Sequence, residues 1–129
     1  MIMFSGTADK FIPLGVLTQT AANLGMPVRI FVTGFALASF TKQKIEPRFP
    51  KEFEDLVPKV HEGLQRVKAP SWYDMLKDAK EIGDVKVYVC SLMAEVMGLK
   101  KEDLDEIVDD VVGATYFFQE TEGYEIIFI

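Results

Sequence analysis

Val85-Lys86-Val87-Tyr88-Val89-Cys90-Ser91-Leu92-Met93-Ala94-Glu95-Val96-Met97-Gly98 is the stretch that decides the fold. Apart from Lys86, residues Val85 to Val89 are β-branched or aromatic, the composition of a strand. Ser91 to Met97 then supply mostly helix formers, and Gly98 ends the run. A buried strand that passes straight into a helix is the building block of α/β domains. Cys90, the only cysteine, stands at the junction.

The same punctuation recurs on either side. Ile2 to Phe4 is a short apolar run broken at Ser5-Gly6-Thr7, and Phe11, Leu14, Leu17, Ala21 and Leu24 follow at helical spacing until Gly25-Met26-Pro27. Val28 to Thr33 reads as a strand covered on both faces, interrupted only by Arg29. Together these segments form a βαβ unit. Phe35 to Phe40 continues as an apolar helix, whereas Lys42 to Pro50, with two prolines and several charges, reads as an excursion over the surface. Leu56, Val60, Leu64 and Val67 mark an amphipathic helix despite Pro58, and Ser71 caps a further helix that stops at Gly83. Leu104, Ile107, Val108 and Val111 predict one face of an acidic helix; Val112-Gly113 is a short buried segment, and Tyr124 to Ile129 is a last strand. The expectation is one domain, residues 1–129, with a mostly parallel sheet of about five strands between helices on both sides, a three-layer α/β/α arrangement.

Composition narrows the function classes. The chain has 129 residues, 49% of them hydrophobic, with 10 Phe, too apolar a mixture for a disordered segment. Its net charge of −6, from 20 acidic and 14 basic residues, argues against partners recognised through their phosphates, so neither nucleic acid nor an anionic membrane surface is expected. No apolar run reaches the ~18 residues of a membrane span, and the first residues lack a signal-peptide pattern, so a cytoplasmic protein is expected. One cysteine allows no internal disulfide, no CxxC pair and no cysteine-rich zinc cluster.

In open parallel sheets, ligands bind beyond the carboxyl ends of the strands. That places Ser5-Gly6-Thr7, Thr33-Gly34, Cys90-Ser91 and Gly113-Ala114-Thr115 on one rim. Thiolate is the reactive form of cysteine, and a helix amino terminus favours it. Lone cysteines are also among the most buried residue types. Position alone leaves Cys90 open to both readings.

Ser5-Gly6-Thr7-Ala8-Asp9-Lys10, Gly25-Met26-Pro27-Val28-Arg29-Ile30-Phe31-Val32-Thr33, the stretch Val87 to Gly98, and Val112-Gly113-Ala114-Thr115 resemble the DsrE/DsrF-like family of sulfur-trafficking proteins. The resemblance implies a flavodoxin-like α/β scaffold, assembly into homo- or hetero-oligomers, and a cysteine, here Cys90, that takes sulfane sulfur as a persulfide and passes it to a partner. A donor such as thiosulfate or polysulfide and an acceptor protein thiol are the implied partners, and no cofactor is implied. Ser5, Gly6, Thr7, Thr33, Ser91 and Gly113 are the expected substrate-binding positions, with backbone amides after Cys90 facing the anionic persulfide and the hydroxyls of Ser5, Thr7 or Thr33 facing an oxyanionic donor. The chain departs from the family where Thr33-Gly34-Phe35-Ala36 replace an aromatic pair with glycine, and where Ala94-Glu95 replace Met-Asp. The competing class is a binding or assembly module in which Cys90 is inert and the rim holds a nucleotide, a flavin or a partner peptide.

Other constellations carry less. Cys90, Met93 and Met97 at i, i+3 and i+7 would gather three sulfurs for Cu(I) on a continuous helix, although methionines at that spacing usually fill cores. No metal site is therefore expected. His61-Glu62 does not extend to HExxH, and the turn Ser5 to Lys10 contains neither GxGxxG nor GxxxxGK. Lys10, Arg29, His61 and Lys86 read equally as ordinary solvated residues or as anion ligands and are left out of the site. Trp72-Tyr73 and Phe117-Phe118 supply apolar area for the core or for subunit contacts.

Overall fold

The computed structural model describes residues 1–129. Strands β1 (Ile2–Met3), β2 (Val28–Val32), β3 (Val85–Cys90) and β4 (Asp110–Val112) pair in parallel in the order β1-β2-β3-β4. Each strand lies beside the one before it in the chain. When a parallel sheet grows in one direction through right-handed crossovers, its connecting helices all fall on the same face. Of the connecting helices α1 (Ala8–Asn23), α2 (Val57–Arg66), α3 (Trp72–Ile82) and α4 (Ser91–Val96), all but α2 pack on that face. Phe11 and Leu14 of α1, Leu76 and Ala79 of α3 and Ala94 of α4 close over Met3, Ile30, Val32, Val87 and Val89 in a core of 18 buried residues.

The opposite face carries much less. Phe31, Tyr88 and Val112 point there and meet Phe117 from a single short helix, α5 (Ala114–Glu120). Strand alternation accounts for the division: in β3, Val85, Val87 and Val89 enter the large core while Tyr88 and Cys90 face α5. After α5 the chain returns to lie along β1, where the Ile2 amide donates to the Ile127 carbonyl at 2.8 Å and the Ile129 amide to the Ile2 carbonyl at 2.9 Å. The expected fifth strand is thus an extended segment joined to β1 by one bridge, Ile2 to Phe128, beside a four-stranded sheet.

Two local expectations change. Phe35 to Phe40 lies in a 3₁₀ helix, Gly34–Phe40, that buries Ala36, Leu37 and Phe40. Leu104 to Val111 does not form an acidic helix: after a 3₁₀ turn at Lys101–Asp103 the chain bends and enters β4. Leu104 and Ile107 are buried, as a helical face would have been, but Asp105 fixes a turn between them. Burial pushes the Asp105 carboxyl up, but hydrogen bonds from the Tyr73 hydroxyl at 2.7 Å and the Ile107 amide at 3.0 Å, with Lys44 nearby, hold it below the ordinary carboxylate value. Asp109 likewise accepts from the Val87 amide at 2.8 Å and pairs with Lys80, which ties the segment to β3.

Other boundaries follow the sequence. Ser71 accepts from the Asp74 amide at 3.1 Å and caps α3. Gly83 ends that helix in extended conformation, and a Cβ there would lie 2.9 Å from Ala22, so glycine permits the close approach of α1.

Candidate functional site

Cys90 is the last residue of β3 and the cap of α4, with φ −61° and ψ 118°. Its side chain is half-buried against the cluster of Phe31, Tyr88, Val112 and Phe117. The register builds its surroundings. Met3 lies beside Val32, Val32 beside Val89, and Cys90 beside Val112. One residue further along β1 and β2, Phe4 and Thr33 reach the level of Cys90, and alternation turns both toward the α5 face. Phe4, Thr33, Cys90 and Val112 therefore form a row, with neighbouring strands spaced about 4.8 Å apart.

Both α4 and α5 begin at the Cys90 end of this row. Gly113 caps α5, Ser91 opens α4, and both are exposed. They approach closely: a Cβ on Gly113 would sit 3.9 Å from the Ser91 hydroxyl. Cys90, Ser91, Thr33 and Gly113 thus share one corner of the rim.

Ser5, Gly6 and Thr7 lie elsewhere. They line a cavity of about 440 Å³ with Phe35, Ile45 and Arg48, and neither Cys90, Ser91, Thr33 nor Gly113 borders it. Across the sheet, β1, which leads into Ser5, stands roughly 10 Å from β3, and Thr33 at the end of β2 lies between them, its amide bonded to the Met3 carbonyl at 2.9 Å. The Ser5 and Thr7 hydroxyls are 2.9 Å apart and bond to each other, while the Ala8 amide at the start of α1 donates to the Arg48 carbonyl at 2.9 Å. Gly34, at φ +55°, lets the loop after β2 close over β1: a Cβ there would fall 2.8 Å from the Phe4 ring and from its carbonyl oxygen. Along the rim, Ser5, Gly6 and Thr7 face this cavity, and Thr33 stands between them and Cys90.

Arg29 is not a solvated residue. Its side chain is 11% exposed, donates from Nε to Glu120 at 2.7 Å, and meets Asp84 through two 3.0 Å bonds. The Tyr88 hydroxyl also donates to Glu120, at 2.9 Å. Burial pushes the Glu120 carboxyl up, yet the Tyr88 and Arg29 bonds outweigh it and hold the group below its ordinary value. Burial and the Glu120 contact push the Tyr88 phenol up. This network anchors the far end of α5, while Gly113 anchors its start beside Cys90. The signal was legible as one charge in an otherwise apolar strand, since a buried charge needs a partner.

The sulfur cluster does not form. Cys90 packs toward α5 and Met93 toward the large core, because Cys90 has strand geometry and the helical spacing begins only after it. No group of three His, Cys, Asp or Glu side chains is arranged to hold a metal ion. His61 stacks edge-on against Phe49 at 5.5 Å. Lys86 approaches Asp109 at 3.5 Å and Lys10 approaches Asp9 at 3.7 Å, both loosely and at the surface. No helix is long and apolar enough to cross a membrane.

A model of the DsrE/DsrF/DrsH-like family matches residues 48–128, more than half of the chain. The match includes Cys90, Ser91 and Gly113 and leaves out Ser5, Gly6, Thr7 and Thr33. No curated protein matches the chain. Among solved structures, a protein of unknown function from Methanobacterium thermoautotrophicum is similar with a TM-score of 0.51 and 17% identity, covering 99% of this chain and 97% of that one. At that identity the likeness is one of fold.

Proposed function

The chain belongs to the DsrE/DsrF/DrsH-like family, and from that premise we propose that it carries sulfane sulfur as a persulfide on Cys90 and hands it to a partner's thiol. Family membership points to a sulfur-relay-type role. The observation that supports Cys90 as the carrier is its placement: the only cysteine, inside the matched segment, half-buried at the carboxyl end of β3, where two helices begin.

In the proposed cycle, the Cys90 thiolate attacks the outer sulfur of a donor such as thiosulfate. The new bond joins Sγ to that sulfur, the donor's S–S bond breaks, and sulfite leaves with the electron pair. The terminal sulfur of the persulfide is then attacked by an acceptor thiolate, and Cys90 leaves as thiolate again. No external oxidant or reductant enters. Thr33, level with Cys90 on the same face, and the exposed Ser91 and Gly113 are the groups placed to contact the donor. Ser5, Gly6 and Thr7 line the neighbouring cavity. The donor and the partner thiol meet Cys90 from the thinly covered α5 side.

Incubation with thiosulfate or polysulfide, followed by intact-mass measurement, is expected to show added sulfur on the wild type, and incubation with tetrathionate an added S–SO3 group as thiosulfate leaves, each removable by a thiol and absent from Cys90→Ser. A folded protein that takes up no sulfur from any of the three overturns the proposal.

A second reading rests on the cavity itself, which excludes Cys90. There the protein is a binding module, the Ser5–Arg48 cavity holds a small ligand or partner peptide, and the cysteine is inert. Visible absorbance from a co-purified flavin, together with no sulfur uptake, would favour it.

A further inference from the structure

The cavity beside Ser5 is lined by 12 residues, and the only charged ones among them are Glu46 and Arg48. Neither forms an ion pair within the chain. They stand on either side of Pro47, which pushes Glu46 toward extended backbone, and residues i and i+2 of an extended chain lie roughly 6–7 Å apart. The cavity thus offers one anion and one cation a short step apart, each still open to a partner.

Much of the remaining wall is apolar and open. Phe4 is 50% exposed, Phe35 81% and Ile45 54%. Phe35 belongs to the 3₁₀ helix that buries Ala36, Leu37 and Phe40, yet its own ring stays outside the core. Two glycines bring the segments of Phe4 and Phe35 together: a Cβ on Gly6 would lie 2.8 Å from the Phe35 carbonyl oxygen, and one on Gly34 2.8 Å from the Phe4 ring. Large apolar side chains left open along one cavity mark a binding surface. The wall is also fixed in advance, since Ser39 Oγ donates to the Ile45 carbonyl at 2.7 Å and the Ala8 amide to the Arg48 carbonyl at 2.9 Å. A preorganised wall loses little entropy on binding. The volume of about 440 Å³ falls within the ~300–1,000 Å³ of small-molecule sites.

One class of small molecule meets all of these features. A free α-amino acid carries its ammonium and carboxylate on a single carbon and so bridges the two charges. A carboxylate alone is repelled by Glu46, an amine alone is repelled by Arg48, and a phosphate meets Glu46 with still more negative charge. We propose that the Ser5–Arg48 cavity binds a free α-amino acid with a large apolar side chain, its carboxylate on Arg48, its ammonium on Glu46 and its side chain against Phe4 and Phe35. This rests on the reading of the cavity as a ligand site, and it holds whether Cys90 carries sulfur or is inert.

Titration of the isotope-labelled full chain with L-phenylalanine, followed through backbone amide shifts, tests it. Saturable shifts are expected at Gly6, Thr7, Ile45 and Arg48. Phenethylamine and phenylpropionate, which each lack one charge, are expected to bind roughly tenfold more weakly, the effect of losing one charged hydrogen bond. Arg48→Gln is expected to weaken L-phenylalanine by a similar factor and not phenethylamine; Glu46→Gln is expected to weaken L-phenylalanine and not phenylpropionate. Phe35→Ala, at an exposed ring, is expected to weaken all three, and Cys90→Ser to bind as the wild type does. Phenethylamine or phenylpropionate binding as tightly as L-phenylalanine, or indifference of L-phenylalanine to both charge variants, would overturn the proposal and leave the cavity a site for another ligand. No saturable shift at these positions with L-phenylalanine, L-leucine, L-methionine or either analogue would overturn the proposal together with the ligand-site reading.

Discussion

The two faces of the sheet are built to different standards. Under α1 and α3, rings and aliphatic side chains interlock: Phe11 stacks with Phe40 at 6.1 Å, Trp72 lies 4.6 Å from Phe11, and Met3, Leu14, Ile30 and Val87 are fully enclosed. Under α5, four buried residues suffice, and the helix is held as much by Arg29 and Tyr88 on Glu120 as by its one enclosed ring, Phe117. The strand order causes the asymmetry, since sequential crossovers deliver their helices to one side and leave the other to the chain's last helix. Cys90 points to the thin side. A thiol there is half-covered and approachable, whereas one residue earlier, at Val89, it would be sealed in the large core.

Removing one ring from each face should break the comparison most sharply. Phe40→Ala is expected to cost about 3–5 kcal/mol in denaturant unfolding, and Phe117→Ala nearer ~3, because a small cluster can collapse into the space. Equal losses would mean that the two layers contribute alike.

The polar clamp sharpens the same contrast. Glu120→Gln is expected to cost about 1 kcal/mol near neutral pH, since charge-assisted hydrogen bonds are lost from a partly exposed site. Because folding lowers the Glu120 value from 4.5, its contribution is complete above 4.5 and is lost as pH falls toward and through the folded value. Unfolding curves of wild type and Glu120→Gln should therefore converge on acidification. A constant gap would refute the assignment.

Cys90→Ser should have the smallest effect on stability, within about 1 kcal/mol, because its side chain occupies a partly open position. A loss of several kcal/mol, measured by thermal melting, would show the residue to be core and the face to be closed.

Much of the framework was legible in local pattern. The strand Val85–Val89, apolar but for Lys86, the serine cap at Ser71 and the glycine after α4 announce their elements through backbone preference and burial, both local properties. The misreadings have one source, contacts with residues far away in the chain. Leu104 and Ile107 keep a helical spacing, yet Asp105 binds Tyr73 and Lys44 from distant parts of the chain, and those partners select a turn. The partners of Arg29 were not legible, because Glu120 and Asp84 stand 91 and 55 residues away. In the candidate site, Cys90, Ser91 and Gly113 were readable as strand-end positions, while the separation of Ser5 and Thr7 from them was not.

The sequence by itself determined an α/β domain of parallel strands and helices, with Cys90 at a strand's carboxyl end, because alternation, helical spacing and capping act over a few residues. Tertiary structure alone decided which face Cys90 occupies and which rim residues stand with it. Those depend on strand order and register, and both are settled by contacts between residues far apart in the chain, whose closure no local preference encodes.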